Sequence, residues 1–281
     1  METSVGHSVG ILGGDRRMAL LARQLASAGY AVYTWDLARF GAADTSLGEA
    51  VSAERVILPV PLARGELLNS AAPLPLTELF ALLHGARHVY AGGVRESARA
   101  LAAAQDVTLT DYLAREELAV RNAVPTAEGA LEAALRETAV TLHAAPCLVL
   151  GFGRIGKLLA HRLRGLGAEV TVSARRMDDL AWIDAFGYRA LRSDRLAGRL
   201  SAFRVVFNTV PHLLLTETLL RELPRECVLI ELASTPGFDR AAAEALGLRA
   251  VPALGLPGKT APETAAAAIR QTLEKIWEEE E

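Results

Sequence analysis

The ten residues from Cys147 to Gly156 constrain the fold more than any other part of the chain. An apolar run, Cys147–Leu150, ends in Gly151-Phe152-Gly153-Arg154-Ile155-Gly156, and a helical pattern follows at once. In a strand–turn–helix unit of this kind the first glycine permits a tight turn, the second lets a pyrophosphate approach the backbone, and the third lets the helix pack on its strand. The sequence therefore predicts a Rossmann-type unit whose helix amides bind phosphates. The alternative is a glycine-rich turn that binds no ligand.

The strand that follows this helix bears on the choice of dinucleotide. NAD-binding units carry an acidic residue roughly 20 residues after the glycines, where it binds the ribose hydroxyls. Here the strand ends in Ser173-Ala174-Arg175-Arg176, while Glu169 lies at its other end and Asp178 beyond the turn. A hydroxyl and two guanidinium groups suit a 2′-phosphate. We therefore predict NADP(H) bound by residues 173–176, the alternative being that the two arginines are solvated loop charges.

Composition limits the classes of protein that the chain can belong to. Of its 281 residues 51% are hydrophobic, so a full core can form, and the net charge of −3 argues against a nucleic-acid partner. The two cysteines, Cys147 and Cys227, lie in strand-like runs and read as buried free thiols, with no metal-binding spacing. The N-terminus shows no signal-peptide pattern, and no apolar run approaches the roughly 18 residues of a membrane span. We expect a cytoplasmic protein without a metal.

Strand and helix patterns alternate along the chain, which predicts parallel sheets with helices on both faces. In the C-terminal half the strand-like runs are Cys147–Leu150, Val170–Ala174, Arg204–Asn208, Val228–Leu232 and Arg249–Val251. In the N-terminal half they are Ser8–Leu12, Ala31–Trp35, Arg55–Pro59 and His88–Ala91. The predicted fold class is α/β, with two Rossmann-like doubly wound domains and a cleft between them that holds the substrate.

The first strand of the N-terminal half raises a second nucleotide site as an alternative. Gly13-Gly14-Asp15 follows it, a helix pattern covers Arg17–Ala28, and Asp36 stands where a ribose-binding acid would lie. However, the third glycine is missing, and Arg16 and Arg17 occupy the turn. We therefore favour a substrate domain for this half.

Domain boundaries follow from these patterns. We predict an N-terminal α/β domain over residues 1–125, a domain-joining helix over 126–145 with Thr126 as its N-cap, and an NADP-binding domain over 146–261. A final helix, Pro262–Trp277, is expected to return to the first domain as part of residues 262–281. Its tail, Glu278–Glu281, is expected to be frayed.

Several motifs together resemble the A subunits of dipicolinate synthase from spore-forming bacteria. The matching blocks are Gly13-Gly14-Asp15-x-Arg17, Asp111-Tyr112-x-x-Arg115-Glu116-Glu117, Asn122–Gly129, Gly151-x-Gly153-Arg154-x-Gly156, Asn208-Thr209-Val210-Pro211, Glu231-Leu232-Ala233-Ser234 and Leu256-Pro257-Gly258-x-x-Ala261-Pro262. The resemblance runs essentially from end to end, and the Pro125–Gly129 and Leu256–Gly258 blocks are its most specific parts. The overall plan is similar to that of the D-2-hydroxyacid dehydrogenases and of S-adenosylhomocysteine hydrolase.

The resemblance implies a concrete activity. An enzyme of this family would oxidise dihydrodipicolinate, formed from 4-hydroxy-tetrahydrodipicolinate, to pyridine-2,6-dicarboxylate with NADP⁺ as the hydride acceptor. It would form an oligomer and would work with the flavoprotein-like B subunit of the synthase, in the mother-cell cytoplasm during sporulation. Two alternatives remain open: another NADP-dependent dehydrogenase of the same architecture, and a non-catalytic nucleotide-binding scaffold protein.

The strand-end motifs supply the predicted site residues. We expect three segments to flank the ribose and nicotinamide, although each also reads as an ordinary strand-end loop: Asn208-Thr209-Val210-Pro211, Leu232-Ala233-Ser234 and Leu256-Pro257-Gly258. Arg17 is the first choice for binding a substrate carboxylate, because a guanidinium matches a carboxylate with two bonds. Ser234 and Thr126 are further substrate-binding candidates, and the catalytic candidates are Asp15, Thr126 and Glu128.

Some of these residues have competing interpretations. Asp15 would orient Arg17 or act on a proton, and Glu128 would act on substrate or cap its helix. His212 follows the nicotinamide loop, but we favour a loop histidine over a general base. The proton acceptor is left unassigned.

Overall fold

The computed structural model describes residues 8–86 and 88–280. Two predictions concern residues outside this range. One is the signal-peptide prediction for the N-terminal segment, and the other is the frayed tail at its last residue, Glu281. The chain divides into two compact units. The first contains the described residues up to Asn122 together with the chain from Ala261 onward, and the second is Ala123–Thr260.

The first unit is built on a parallel sheet. Its strands are β1 (Ser8–Leu12), β2 (Ala31–Trp35), β3 (Arg55–Ile57), the short hairpin strands β4 (Ala63–Arg64) and β5 (Leu67–Leu68), β6 (His88–Ala91) and β7 (Leu109–Asp111). Its helices up to Asn122 are α1 (Arg16–Ser27), α2 (Leu47–Val51), α3 (Leu76–Leu82), α4 (Glu96–Ala103) and the start of α5 (Glu116–Glu137), with 3₁₀ turns at Ala38–Phe40 and Tyr112–Ala114. The five-stranded sheet has the order β2-β1-β3-β6-β7, and every neighbouring pair is parallel.

This sheet is buried on both of its faces. Val9 and Ile11 belong to one buried apolar cluster, whereas Leu12, Val56 and Leu58 belong to another. Successive side chains of a strand point to opposite faces, so this alternation places one cluster on each side of the sheet. Helices therefore cover both faces, as the sequence predicts. The strand β7 and the hairpin were not predicted.

The last helix, α11 (Pro262–Glu280), completes the first unit. Its Ile269, Leu273 and Trp277 are buried in the same cluster as Met18 and Leu21 of α1. The expected fraying of the tail is wrong for the described residues, because helix continues to Glu280. Side chains near its end are bonded: Arg115 Nη1 donates to Glu279 Oε2 (2.7 Å), and the Tyr90 hydroxyl donates to Glu280 Oε2 (2.6 Å).

The second unit is a six-stranded parallel sheet. Its strands are β8 (Pro146–Leu150), β9 (Glu169–Ala174), β10 (Arg189–Arg192), β11 (Val205–Asn208), β12 (Val228–Glu231) and β13 (Arg249–Pro252). Its helices are the rest of α5, then α6 (Arg154–Gly165), α7 (Met177–Ala185), α8 (Glu217–Leu220), α9 (Arg240–Ala245) and α10 (Leu256–Thr260). The order β10-β9-β8-β11-β12-β13 reverses direction between β8 and β11, which is the switch point where doubly wound sheets bind dinucleotides.

The predicted strands of the second unit are confirmed to within a residue at each end, and β10 is an additional strand. Cys147 and Val149 lie in one buried cluster while Leu148 and Leu150 lie in another, so β8 is covered on both faces. Burial of this kind explains why the strands read as continuous apolar runs. Both units are Rossmann-like α/β folds, which confirms the predicted fold class.

The helix predicted to start at Thr126 starts ten residues earlier. α5 runs from Glu116 to Glu137 with Pro125 inside it, so Thr126 is an interior helical residue and not an N-cap. A proline ends many helices because it removes an amide donor and crowds the preceding turn. Here the helix continues on both sides of Pro125. The helix also ends earlier than predicted, before Thr138.

The described residues contain no candidate for a membrane span or for a metal cluster. None of their helices combines the length and the apolar character that crossing a membrane requires. Among the same residues, no three His, Cys, Asp or Glu side chains are grouped so that they could hold a metal ion.

Candidate functional site

The glycine turn between β8 and α6 has the geometry of a phosphate-binding loop. Gly151 has a φ of +99°, and a Cβ there would lie 2.5 Å from Thr209 Oγ1. Gly156 has no room either, because a Cβ would lie 2.1 Å from the Gly151 carbonyl oxygen. Gly153 differs from both: it is exposed, and a Cβ would meet nothing within 4 Å.

The open face of Gly153 fits a ligand rather than the packing of the protein. Gly153 is also the N-cap of α6 and, as a glycine, has no side chain with which to cap that helix end. The first turn of α6 contains no acidic residue. Uncapped amides at a helix N-terminus attract an anion, because they carry the positive end of the helix dipole. These residues fit a dinucleotide pyrophosphate. Phe152 is buried below the turn, with Lys157 Nζ 5.3 Å from the centre of its ring.

At the end of β9 the two predicted arginines have different surroundings. Arg176 makes a two-pronged ion pair with Asp178, with Nε 2.9 Å from Oδ1. This pair raises the pKa of the Arg176 guanidinium and lowers the pKa of the Asp178 carboxyl. Arg175 is also exposed, and within residues 8–86 and 88–280 no ion pair or hydrogen bond of its side chain is found. Of the two guanidinium groups, that of Arg175 is therefore the one that could contact a ligand without breaking an ion pair among the described residues.

The hydroxyl of Ser173 is not available in the way that the sequence suggests. Ser173 is fully buried, and its Oγ lies 3.2 Å from Ser193 Oγ, beyond the end of β10. Ala174 is buried as well. As a direct phosphate ligand Ser173 is therefore a wrong prediction, because its side chain is buried and bonded to that of Ser193.

The ends of β11 and β12 are tied to each other by side chains. The Asn208 amide Nδ2 donates to Glu231 Oε1 (2.7 Å) and to the Val210 carbonyl (2.9 Å). Thr209 Oγ1 donates to the Leu150 carbonyl (2.8 Å), beside the glycine turn. Asn208 and Glu231 are buried, whereas Pro211, His212 and Ser234 are exposed. Glu231 was noted only as part of the Glu231–Ser234 motif. Its role in joining the ends of β11 and β12 was not predicted.

The Leu256-Pro257-Gly258 segment is not an open loop, because it forms the first part of α10. Leu256 is buried and packs beside Gly129 of α5, where a Cβ would lie 3.1 Å from Leu256 Cβ and 2.5 Å from Thr260 Oγ1. The two most specific blocks of the resemblance thus contact each other within the second unit.

The catalytic candidates on α5 do not occupy a helix start. Glu128 is exposed, with 53% of its side chain accessible, and its Oε1 lies 3.1 Å from Arg162 Nη2 of α6. Its capping role is wrong, because α5 begins at Glu116. Thr126 lies one turn before Ala130 on the same helix and is half-buried.

In the first unit Asp15 and Arg17 form one structural group. Asp15 caps α1 by accepting the Arg17 backbone amide (3.0 Å), and it also accepts Arg17 Nε (2.9 Å) and Nη2 (2.8 Å). Arg17 Nη2 donates further to the Val60 carbonyl (2.7 Å), and Arg17 is buried. The two-pronged side of the guanidinium therefore binds Asp15, and a substrate carboxylate would have to use Nη1. Asp15 orients Arg17, which is one of the two roles proposed for it.

The residues that suggested a second nucleotide site are also bonded to other parts of the same chain. Asp36 accepts the backbone amides of Ala71 (2.6 Å) and Ala72 (3.3 Å), and Arg39 Nη1 (2.9 Å). The amide of Gly14 donates to the Asn69 carbonyl. The turn amide and the acid that a nucleotide would use are thus bonded to the chain itself, which favours the substrate-domain interpretation.

Both cysteines are free and buried, as predicted. Burial raises the pKa of the Cys147 thiol and of the Cys227 thiol to about 12 in each case. Neither thiol is suited to act as a nucleophile, because the thiolate form is disfavoured.

Comparisons with known proteins agree over nearly the whole chain. Residues 8–113 match the family described as the N-terminal domain of the dipicolinate synthase A subunit. Residues 102–251 match the D-isomer specific 2-hydroxyacid dehydrogenase NAD-binding domain. The A subunit of dipicolinate synthase from Bacillus subtilis is 29% identical over 290 residues, covering 98% of this chain and 97% of that protein.

Solved structures give the same result. The crystal structure of the dipicolinate synthase A subunit from Bacillus halodurans has a TM-score of 0.88 at 29% identity, covering 96% of this chain and 97% of the other. Its counterpart from Bacillus subtilis has a TM-score of 0.86 at 28% identity, covering 98% and 97%. Residues 102–251, more than half of the chain, belong to the family of D-isomer specific 2-hydroxyacid dehydrogenase NAD-binding domains, and the chain is similar along nearly its whole length to dipicolinate synthase A subunits.

Proposed function

We propose that this chain is the catalytic A subunit of a dipicolinate synthase. It oxidises dihydrodipicolinate, formed from 4-hydroxy-tetrahydrodipicolinate, to pyridine-2,6-dicarboxylate. The observation that carries the proposal is the glycine turn at Gly151–Gly156, with its open face at Gly153, in a chain that resembles this family from end to end. Bound NADP⁺ supplies the hydride acceptor, and the ring loses one hydride and one proton as it becomes aromatic.

The free guanidinium of Arg175 supports NADP(H) as the cofactor. No acidic residue lies at the end of β9 where an NAD-specific unit would place one, and Asp178 beyond it is paired with Arg176. Arg175 binds the 2′-phosphate, while the α6 amides bind the pyrophosphate. Asn208–Pro211, Leu232–Ser234 and Leu256–Gly258 lie toward the nicotinamide and its ribose.

The substrate carries two carboxylates, and we assign one of them to Arg17. Arg17 Nη1 is the part of this guanidinium left after Asp15 and the Val60 carbonyl have taken Nε and Nη2. Ser234 and Thr126 are the other proposed polar contacts of the substrate, and Asp15, Thr126 and Glu128 are the catalytic candidates. Positioning of the ring matters more than a strong base, because aromatisation already supplies driving force.

The proposed setting is the mother-cell cytoplasm of a sporulating bacterium. There the chain forms an oligomer and works with its flavoprotein-like partner, the B subunit of the synthase. These assignments come from the family and from the dicarboxylate product.

The test is dipicolinate formation by the purified chain. Freshly generated dihydrodipicolinate is mixed with NADP⁺ or NAD⁺, with and without the B subunit, while the absorbance of reduced nicotinamide and the pyridine product are followed. We expect turnover with NADP⁺ in preference to NAD⁺. Turnover only when the partner is present would mean that the complex completes the site. No turnover under either condition would overturn the catalytic assignment.

A further inference from the structure

The carboxylate of Glu231 is the centre of a buried polar network at the end of β12. Glu231 is 4% exposed. It accepts hydrogen bonds from Asn208 Nδ2 (2.7 Å), the Ala233 amide (2.9 Å) and the Gly237 amide (2.8 Å). All three partners are donors, which is the arrangement that a carboxylate can satisfy and an amide side chain cannot.

This network ties two loops to the strand ends. One loop follows β11: Asn208 binds the carbonyl of Val210 through Nδ2 (2.9 Å) and the amide of Val210 through Oδ1 (3.2 Å). The other loop follows β12 and turns back at Gly237, whose carbonyl accepts the amides of Leu214 (2.8 Å) and Leu215 (3.0 Å). The first loop is therefore bonded to Asn208 and the second to Glu231. The two loops are also bonded to each other.

Gly237 shows how closely the network is packed. A Cβ at this position would lie 2.2 Å from Asn208 Nδ2 and 2.7 Å from Asn208 Oδ1. The φ angle of Gly237 is not in the left-handed region, so backbone strain does not explain the glycine. The residue is a glycine because the Asn208 amide occupies the space of a side chain. We call Asn208, Glu231 and Gly237 the strand-end clamp.

We propose that the strand-end clamp positions the nicotinamide half of the cofactor. In a doubly wound sheet the adenosine half lies beside the first two strands, here β8 and β9, and the nicotinamide half lies beyond the switch point. The two clamped loops follow β11 and β12, on the nicotinamide side. The clamp acts through the loop backbones, so its members are positioning residues. This inference rests on the proposed function, because it assumes a bound nicotinamide dinucleotide.

The test compares two ligands that differ by the nicotinamide half. Glu231→Gln replaces one oxygen by an NH₂ group, which must then face one of the three donors of the clamp. We expect the affinity for NADP⁺ to fall about tenfold, because the two loops are no longer held in the position that binds the nicotinamide half, while the affinity for 2′,5′-ADP stays unchanged. Isothermal titration calorimetry on the full chain measures both.

A matched control makes the same chemical change at the opposite end of the sheet. Glu226 precedes β12 and is 72% exposed, so Glu226→Gln should change neither affinity. Asn208→Ser is the second variant, since it keeps the Ala233 and Gly237 bonds of Glu231 and is less disruptive if Glu231→Gln fails to fold. It should show the same division between the two ligands.

The possible results distinguish a failure of the clamp proposal from a failure of the proposed function. Equal losses for NADP⁺ and 2′,5′-ADP, or no loss for either, would overturn the clamp even if the wild-type chain is an active NADP enzyme. If the wild-type chain binds NAD⁺ in place of NADP⁺, the NADP assignment fails. The clamp is then tested in the same way with NAD⁺ and 5′-AMP.

Discussion

Gly129 of α5 lies directly against Thr260 of α10, so closely that a methyl group at Gly129 would come within 2.5 Å of Thr260 Oγ1. Leu256 is the other neighbour, with its Cδ2 3.0 Å from the same point. The contact explains why a glycine stands inside a helix, where it is unfavourable by about 0.5–1 kcal/mol relative to alanine. It also joins the Pro125–Gly129 block to the Leu256–Gly258 block.

Gly129→Ala should therefore destabilise the protein. The added methyl group overpacks the contact, which typically costs about 1–3 kcal/mol, and this exceeds the gain in helix propensity. Chemical denaturation followed by circular dichroism measures the change. Gly165→Ala is the control, since Gly165 ends α6 and a Cβ there would meet nothing within 4 Å. An unchanged midpoint for Gly129→Ala would show that Thr260 moves aside freely.

Substitutions at two glycines of the phosphate turn should have different effects, one on dinucleotide affinity and the other on stability. Gly153→Ala adds a methyl group to open space, so the melting temperature should hardly change while dinucleotide affinity falls about tenfold or more. Gly156→Ala drives a methyl group against the Gly151 carbonyl oxygen and should lower the melting temperature itself. Thermal melts with and without NADPH measure both effects. If Gly153→Ala binds NADPH as well as the wild type, no pyrophosphate approaches this face.

Arg175 and Arg176 should contribute unequally to cofactor choice. Arg175→Ala removes an unpaired guanidinium and should weaken NADPH binding by about tenfold, with NADH binding little affected. Arg176→Ala is the matched control, because this guanidinium already binds Asp178 and a smaller loss is expected. Fluorescence titration with each reduced cofactor gives the ratio. Equal losses for NADPH and NADH in Arg175→Ala would contradict the 2′-phosphate assignment.

Arg17→Lys should affect the substrate and not the cofactor. Lysine keeps the positive charge but loses the planar fork that binds Asp15 on one side and leaves Nη1 on the other. We expect KM for dihydrodipicolinate to rise about tenfold while the Kd for NADP⁺, measured by calorimetry, stays the same. Arg16→Lys is the comparison at the exposed neighbouring position. Unchanged KM and kcat in Arg17→Lys would leave Arg17 with a structural role alone.

Apolar periodicity and glycine spacing were enough to predict most of the fold. The strands β8, β11 and β12 are buried on both faces, so each reads as an apolar run, and the Gly151–Gly156 turn marks where the first of them ends. β10 escaped prediction because Arg189 and Arg192 interrupt its apolar pattern at the sheet edge. β7 is only three residues long and ends in Asp111, so it gives little periodic signal.

Predictions for the site failed where a long-range partner decides the role of a side chain. Pro125 reads as a helix start, yet α5 passes through it, so Thr126 and Glu128 lose their expected capping positions. Ser173 reads as a phosphate ligand, but strand alternation turns it toward Ser193. Glu231 lies at the end of an apolar strand, and only the fold brings Asn208 and Gly237 to it.

The packing of α11 on α1 has a consequence for the order in which the protein is made. The second unit, Ala123–Thr260, is continuous in sequence, whereas the core of the first unit needs Ile269, Leu273 and Trp277 from the very end of the chain. Domains generally fold as units while the chain leaves the ribosome. β1 and its neighbouring strands must therefore wait, with α1 uncovered, until α11 has been translated. The unit that contains β1 is completed only after the unit that follows it in the sequence.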